Sequence, residues 1–145
     1  MKTGRSGYFY ATKEEFMAIL AKGGFVPITY KSCNTNGFQE YFINEECDII
    51  SIKTNKKDDR IKYSYYKYNP NTSKIKNNKG YHSVNIGFSA LLHRVVAATF
   101  LGQPRIDQTD VHHKNGNVDD NRPSNLEWIS HRDHMKMHCA LRKEN

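Results

Sequence analysis

Four histidines in the last third of the chain have the spacing of a metal-binding group: the adjacent pair His112-His113, and His134 and His138 further on. Four residues apart on one helix, His134 and His138 project from the same face with Cβ atoms roughly 5 to 6 Å apart, so one ion can be held by both rings. Cys139 lies about 100° further round such a helix and is poorly aimed at the same ion. A third ligand can come from Val111-His112-His113, because adjacent side chains of a regular strand point to opposite faces. The two histidines there divide the work: one binds metal beside the helix pair while its neighbour faces the substrate as a base. Three protein ligands leave a coordination position for water or phosphate, as catalytic sites do and closed structural sites do not. His82, His93 and His131 fall outside this unit and are read as surface or hydrogen-bonded residues rather than ligands, His82 as a polar-face residue of a strand.

The local elements must converge these side chains. Val111-His112-His113 reads as a strand end, Lys114 to Asn125 as a loop dense in Asn, Asp, Gly and Pro, and Leu126-Glu127-Trp128-Ile129 as a second strand. Ser130 then stands where an N-cap belongs, with Asp133 in the first turn of the helix that carries His134 and His138. Trp128 is read as core, packing its strand against that helix. Just upstream, Leu92, Val95, Val96 and Thr99 recur at helical offsets within Leu91 to Phe100, ended by Gly102 and Pro104, which predicts a short buried helix. Before it Val84, Ile86 and Phe88 alternate as a strand, and residues 69 to 80 read as a polar loop.

The N-terminal half is patterned differently. Thr12 and Glu15 form a capping box, and Phe16, Ile19 and Leu20 continue at helical spacing until Gly23-Gly24, which predicts an amphipathic helix over residues 12 to 22. Short β-type runs follow at Val26 to Tyr30, Tyr41 to Ile43 and Ile49 to Ile52, the first two separated by the turn-rich Asn34-Thr35-Asn36-Gly37. The whole is α+β, a small mixed strand and helix region followed by a strand-loop-strand-helix unit.

With 145 residues the chain has the length of a single domain able to bury a real core. Cys33, Cys47 and Cys139 are odd in number and lack C-x-x-C spacing, which argues against a disulfide framework and a cysteine zinc site and suits a reducing cytoplasm. No apolar run approaches the roughly 20 residues needed to cross a bilayer, and no signal-peptide core follows the N-terminus. The net charge of +7 and isoelectric point near 9.3 point to a polyanionic partner. The surplus is localised: from Lys53 to Lys79 the basic residues, among them Lys53, Lys56, Lys57, Arg60, Lys62 and Lys67, outweigh Asp58 and Asp59 by the same +7. Tyr63, Tyr65, Tyr66 and Tyr68 interleave with them and offer rings to sugars or bases. The alternative for this stretch is a lysine-rich strand edge that resists aggregation.

The C-terminal residues resemble the HNH, or ββα-metal, nuclease family: Val111-His112-His113-Lys114-Asn115-Gly116-Asn117, then Asp120-Asn121-Arg122-Pro123-Ser124-Asn125-Leu126-Glu127-Trp128, then His134 and His138. The letters of the family name correspond to His113, Asn125 and His134. Leu92-His93-Arg94-Val95-Val96-Ala97 looks like the His-Arg helix that precedes this motif in phage and intron-encoded homing nucleases. Tyr41-Phe42-Ile43-Asn44 with Ile49-Ile50-Ser51 looks like their nuclease-associated modular element. The resemblance spans residues 40 to 138 and divides the chain into an N-terminal extension (1–40), a basic β-rich DNA-binding element (41–90) and a nuclease core (91–145). It has two departures. A Gly usually stands at the position of Cys47, and Asp or Asn is common at the positions of His112 and His134, where this chain is closer to the all-imidazole bacterial toxin nucleases.

The resemblance implies a metal-dependent DNA endonuclease, in a bacterial host cytoplasm if phage-encoded, with double-stranded DNA as substrate. His113 would be the general base and His112, His134 and His138 the ligands of one divalent ion. Asn125 would orient His113 by a hydrogen bond or pin the loop that places it. Imidazole ligands favour Zn, Ni or Mn-like ions, with Mg²⁺ a weaker fit. Arg94 is a candidate phosphate clamp, alternatively a partner of Asp119 or Asp120, and Lys114 joins the basic residues at the DNA. With seven residues after His138 there is no room for a C-terminal DNA-reading module, so specificity is expected from the N-terminal half or from a homodimer. Two other readings stay open: a non-catalytic, metal-stapled DNA-binding module, and an accessory nuclease working with a partner protein in phage genome packaging.

Overall fold

The computed structural model describes residues 8–30, 39–53, 60–69 and 81–144. Alternating apolar side chains shape its centre. Strands β1 (Tyr8–Ala11), β2 (Val26–Pro27), β3 (Gln39–Ile43), β4 (Ile49–Lys53) and β5 (Ile61–Tyr66) form one antiparallel sheet in the order β1-β5-β4-β3-β2. Because side chains alternate across a strand, Tyr41, Ile43 and Ile49 bury on one face, and Phe42, Ile50 and Tyr63 on the other. The second face is covered by helix α1 (Lys13–Gly23), whose Phe16 ring lies 6.1 Å from Phe42 and 5.3 Å from Tyr63. The capping box expected at its start is present, with Glu15 N donating to Thr12 Oγ1 and Thr12 N to Glu15 Oε1. Gly24 ends the helix at φ 68°, a conformation that costs glycine little.

The first face of the sheet receives the C-terminal half. Helix α2 (Leu92–Phe100) buries Leu92, Val95, Val96 and Ala97 in the same cluster as Tyr41, Ile43 and Ile49. Strands β8 (Asp110–His113) and β9 (Leu126–Ile129) pair antiparallel with His113 opposite Leu126, add Val111 and Leu126 to that cluster, and lead into helix α3 (His131–Glu144). Ser130 caps α3 by accepting from Asp133 N at 3.1 Å. One core thus joins α2, β8 and β9 to the upstream sheet.

Some elements differ from their expectation. The single strand expected through Val84, Ile86 and Phe88 is a hairpin of β6 (Ser83–Asn85) and β7 (Ser89–Leu91). Asn85 Oδ1 accepts from Gly87 N, and Gly87 takes φ 91°, so the chain reverses where alternation alone suggested continuation. The run expected from Val26 to Tyr30 is a strand only at Val26–Pro27, although Ile28 N still donates to Tyr41 O. β1 pairs with β5, which the sequence did not mark as a strand partner. The turn at Asn34 to Gly37, Lys56, Lys57 and most of the 69–80 loop lie outside the described residues. No helix among the described residues is long and apolar enough to cross a membrane.

Candidate functional site

β8 sorts its side chains by alternation: Val111 and His113 are buried, Asp110 and His112 partly exposed on the opposite face. On the buried face the His113 ring, 5 % exposed, lies 5.1 Å from the ring of His93 on α2 and 6.0 Å from Tyr81. Its Nε2 is 2.8 Å from Oδ1 of Asn121. Asn121 Nδ2 donates to the Tyr68 hydroxyl at 3.0 Å and to Val118 O at 3.3 Å, so Oδ1 is the accepting end and His113 Nε2 donates. The imidazole lone pair then sits on Nδ1. Burial, reinforced by nearby His112 and His134, lowers the His113 pKa against the raising influence of Asn121 and Asp120, and the ring is neutral at pH 7.

On the other face the His112 ring meets that of His134 at 5.7 Å. Asp110 shares this face, two residues before His112, and its Oδ2 accepts from Nδ1 of His134 at 3.0 Å and from Nδ1 of His131 at 2.8 Å. Burial alone would raise the Asp110 carboxyl, but the bonds from His134, His131 and Thr109 override it and hold it below the ordinary range. A carboxylate on Nδ1 fixes the His134 tautomer and puts its lone pair on Nε2, the usual support for a metal-binding imidazole. Among the described residues no three His, Cys, Asp or Glu side chains form a metal-holding group. His138 follows one turn along α3, and its side chain is outside the described residues. As donors, His112 and carboxylate-backed His134 fit a divalent transition metal that completes its shell with further ligands.

Asn125 makes no hydrogen bond to His113. Its Nδ2 donates to Asn115 Oδ1 and Asp120 O, each at 2.9 Å, and its Oδ1 accepts from Asn115 N at 3.1 Å. Together with Lys114 N donating to Asn125 O, these bonds close the loop between β8 and β9. Gly116 turns that loop at φ 75°. Arg94 lies 3.9 Å from Asp110, and not against Asp119 or Asp120: Asp120 takes a bidentate pair from Arg122 at 2.9 and 3.0 Å. Trp128 is only partly buried, and its indole donates to Gly102 O in the segment after α2.

Three histidines read as surface or hydrogen-bonded residues lie around this constellation. His82 is buried and bonds Asp119 Oδ1 at 2.8 Å, the His93 ring packs against that of His113 at a tilt of 51°, and His131 bonds Asp110. Their partners were not visible in the sequence because each comes from an element distant along the chain. Burial first, then His113, Arg94 and His134, push His93 down to about 3. Sequence reasoning also missed Asp110, although period-two spacing from His112 marks it, and it noted Asn121, Tyr68 and Cys47 without linking them to His113, because that link is made only by the fold. Cys47 Sγ donates to Asn121 O at 3.2 Å, and the Tyr68 hydroxyl donates to Asp119 O at 2.8 Å.

Of the basic residues, Lys53 and Lys62 stand opposite each other on β4 and β5, and their ammonium groups lie 4.7 and 4.6 Å from the Tyr8 ring centroid. Arg60 lies 5.0 Å over Tyr10. Register places Lys53, Lys62, Tyr8 and Tyr10 on the face of the sheet that also bears Tyr41, Ile43 and Ile49 and hence the C-terminal unit. Lys67 and Lys114 are exposed.

Residues 90–136, which run from the end of β7 into α3 and include His93, His112, His113, Asn125 and His134, match the model of a family described as HNH endonuclease. This segment is therefore similar to that family of nucleases. No curated protein and no solved structure matches the chain.

Proposed function

We propose that this protein is a metal-dependent DNA endonuclease that hydrolyses phosphodiester bonds. The observation that carries the reading is the two-faced β8 strand, which sets a neutral His113 beside a His112–His134 pair backed by Asp110. His113 would accept the proton of an attacking water at Nδ1, the nitrogen left with a lone pair by the bond from Nε2 to Asn121. A divalent ion held by His112 and His134, with His138 on the next turn of α3, would supply Lewis-acid stabilisation to the phosphate and the leaving 3′ oxygen. Asn125 keeps the loop closed and so fixes where β8 presents both histidines. Arg94, one-third exposed beside Asp110, would neutralise a substrate phosphate.

The upstream sheet would bind the DNA on either side of the cut. Like charges directly opposite on a sheet repel, yet Lys53 and Lys62 face one another over a tyrosine ring. A phosphate between them would relieve that repulsion, which supports a backbone-binding role continuous with the site's own face. The homing or phage type of nuclease, with a modular DNA-binding element before the core, rests on the Tyr41 to Ser51 resemblance.

Purified protein incubated with supercoiled plasmid tests the reading. Nicking or linearisation that EDTA abolishes and Mn²⁺, Ni²⁺ or Zn²⁺ restores, with Mg²⁺ less effective, is the expected result. Failure of every metal to restore cleavage would overturn it. One observation favours a non-catalytic, metal-stapled DNA-binding module instead: His113 is nearly buried against His93 and Tyr81. That reading expects tight DNA binding without cleavage, unchanged by His113→Ala.

A further inference from the structure

The orientation of the His113 imidazole depends on a residue far upstream of the family match. An asparagine amide presents nearly isosteric oxygen and nitrogen ends, and the end facing a histidine decides which tautomer the ring adopts. With Oδ1 towards Nε2, His113 must carry its proton there. With the amide turned over, the NH₂ would donate to Nε2 and move the proton to Nδ1, removing the lone pair a base needs.

Tyr68 breaks this symmetry. The Asp119 carbonyl can only accept, so the Tyr68 hydroxyl, 2.8 Å away, must spend its one proton there. Its oxygen can then only accept from Asn121, which forces Nδ2 towards Tyr68, at 3.0 Å, and Oδ1 towards His113. The longer contact from Nδ2 to Val118 O, 3.3 Å, works in the same sense. Burial first, against the lowering influence of Asn121, pushes the Tyr68 phenol up to about 12, so its proton is present at neutral pH. Tyr68 is itself anchored in the upstream element: its backbone N donates to Asp48 Oδ1 at 2.9 Å, and Asp48 N to Asn44 Oδ1 at 2.9 Å.

We propose that Tyr68 is a positioning residue for His113, acting through the Asn121 amide to hold the imidazole in the Nε2–H tautomer. The catalytic consequence rests on the nuclease reading above; the tautomer itself does not. The upstream element then completes the active centre as well as binding substrate.

The test is ¹⁵N NMR of histidine-labelled, EDTA-treated protein, with the His113 signals assigned by their loss in His113→Ala. Wild type should show the Nε2–H tautomer and Tyr68→Phe a mixture. An Nδ1–H ring in wild type, or a folded Tyr68→Phe with the tautomer unchanged, would overturn the inference. In parallel, kcat for plasmid cleavage should fall about tenfold in Tyr68→Phe, the scale of one hydrogen bond, while KM and DNA affinity stay within about twofold. Equal kcat would also count against it. Absence of cleavage by wild type would refute the nuclease reading alone, since the NMR result stands independently.

Discussion

Nε2 of His113 donates to Oδ1 of Asn121 across 2.8 Å, between two buried side chains, while Asn125, the family-motif asparagine, bonds only the loop. The two asparagines therefore fail differently. Asn121→Ala leaves a buried imidazole N–H without its acceptor, a loss of about 1 to 3 kcal/mol, and should reduce cleavage even where the protein is fully folded. Asn125→Ala removes several bonds that close the β8–β9 loop and should lower Tm more, with cleavage largely retained well below the transition. Thermal melts paired with low-temperature cleavage assays distinguish them; the reverse pattern would contradict the division of roles.

Asp110 should matter to metal affinity without being a ligand. It holds His134 by Nδ1, and removing such a carboxylate support typically costs about 10- to 100-fold in affinity. Calorimetric titration of Mn²⁺ into Asp110→Asn should show a loss of that size. An unchanged Kd would mean that His134 is not a metal-binding imidazole.

Acid should destabilise the fold through His93. Its folded pKa, about 3, lies below the ordinary 6.5, so between those values the unfolded chain binds the proton that the folded chain refuses. The stabilisation is complete above pH 6.5 and drains as pH falls towards 3, by about 1.4 kcal/mol per unit. Urea unfolding from pH 7 to pH 4 should show this slope, and His93→Leu should flatten it. Equal slopes in both proteins would place the acid sensitivity elsewhere.

Lys53 and Lys62 give a salt signature. If each contacts a phosphate, its replacement by Ala should weaken DNA binding about equally across sequences and reduce the slope of log K against log salt by about 1. Binding that keeps its slope in both variants would return these lysines to the role of a solvated sheet edge.

Much of this was legible from residue spacing, and the reasons for the rest are physical. The Thr12–Glu15 capping box, the α2 periodicity and the strand-loop-strand-helix order are local signals, and each element stands where its signal placed it. The 84–88 hairpin was hidden because alternation runs on through Gly87 whether or not the chain reverses there. The partners of His82, His93 and His131 were unreadable because the chain's fold, not sequence proximity, brings Asp119, His113 and Asp110 to them. Cys47, the departure from the usual Gly, shows the same limit. The turn forms with Cys47 at φ 71°, a strain of about 1 to 2 kcal/mol for a side-chain-bearing residue, and its thiol reaches Asn121 O in the loop beside His113. Burial, with Asp48 adding to it, pushes that thiol up to about 12, so it stays a donor.

The role of His113 is decided by the rate of metal-restored plasmid cleavage by His113→Ala against wild type, with DNA affinity measured on both. With His113 as the general base, cleavage should fall by at least about 100-fold, the lower range for such a group, with binding essentially unchanged. Cleavage by His113→Ala at the wild-type rate would contradict that role.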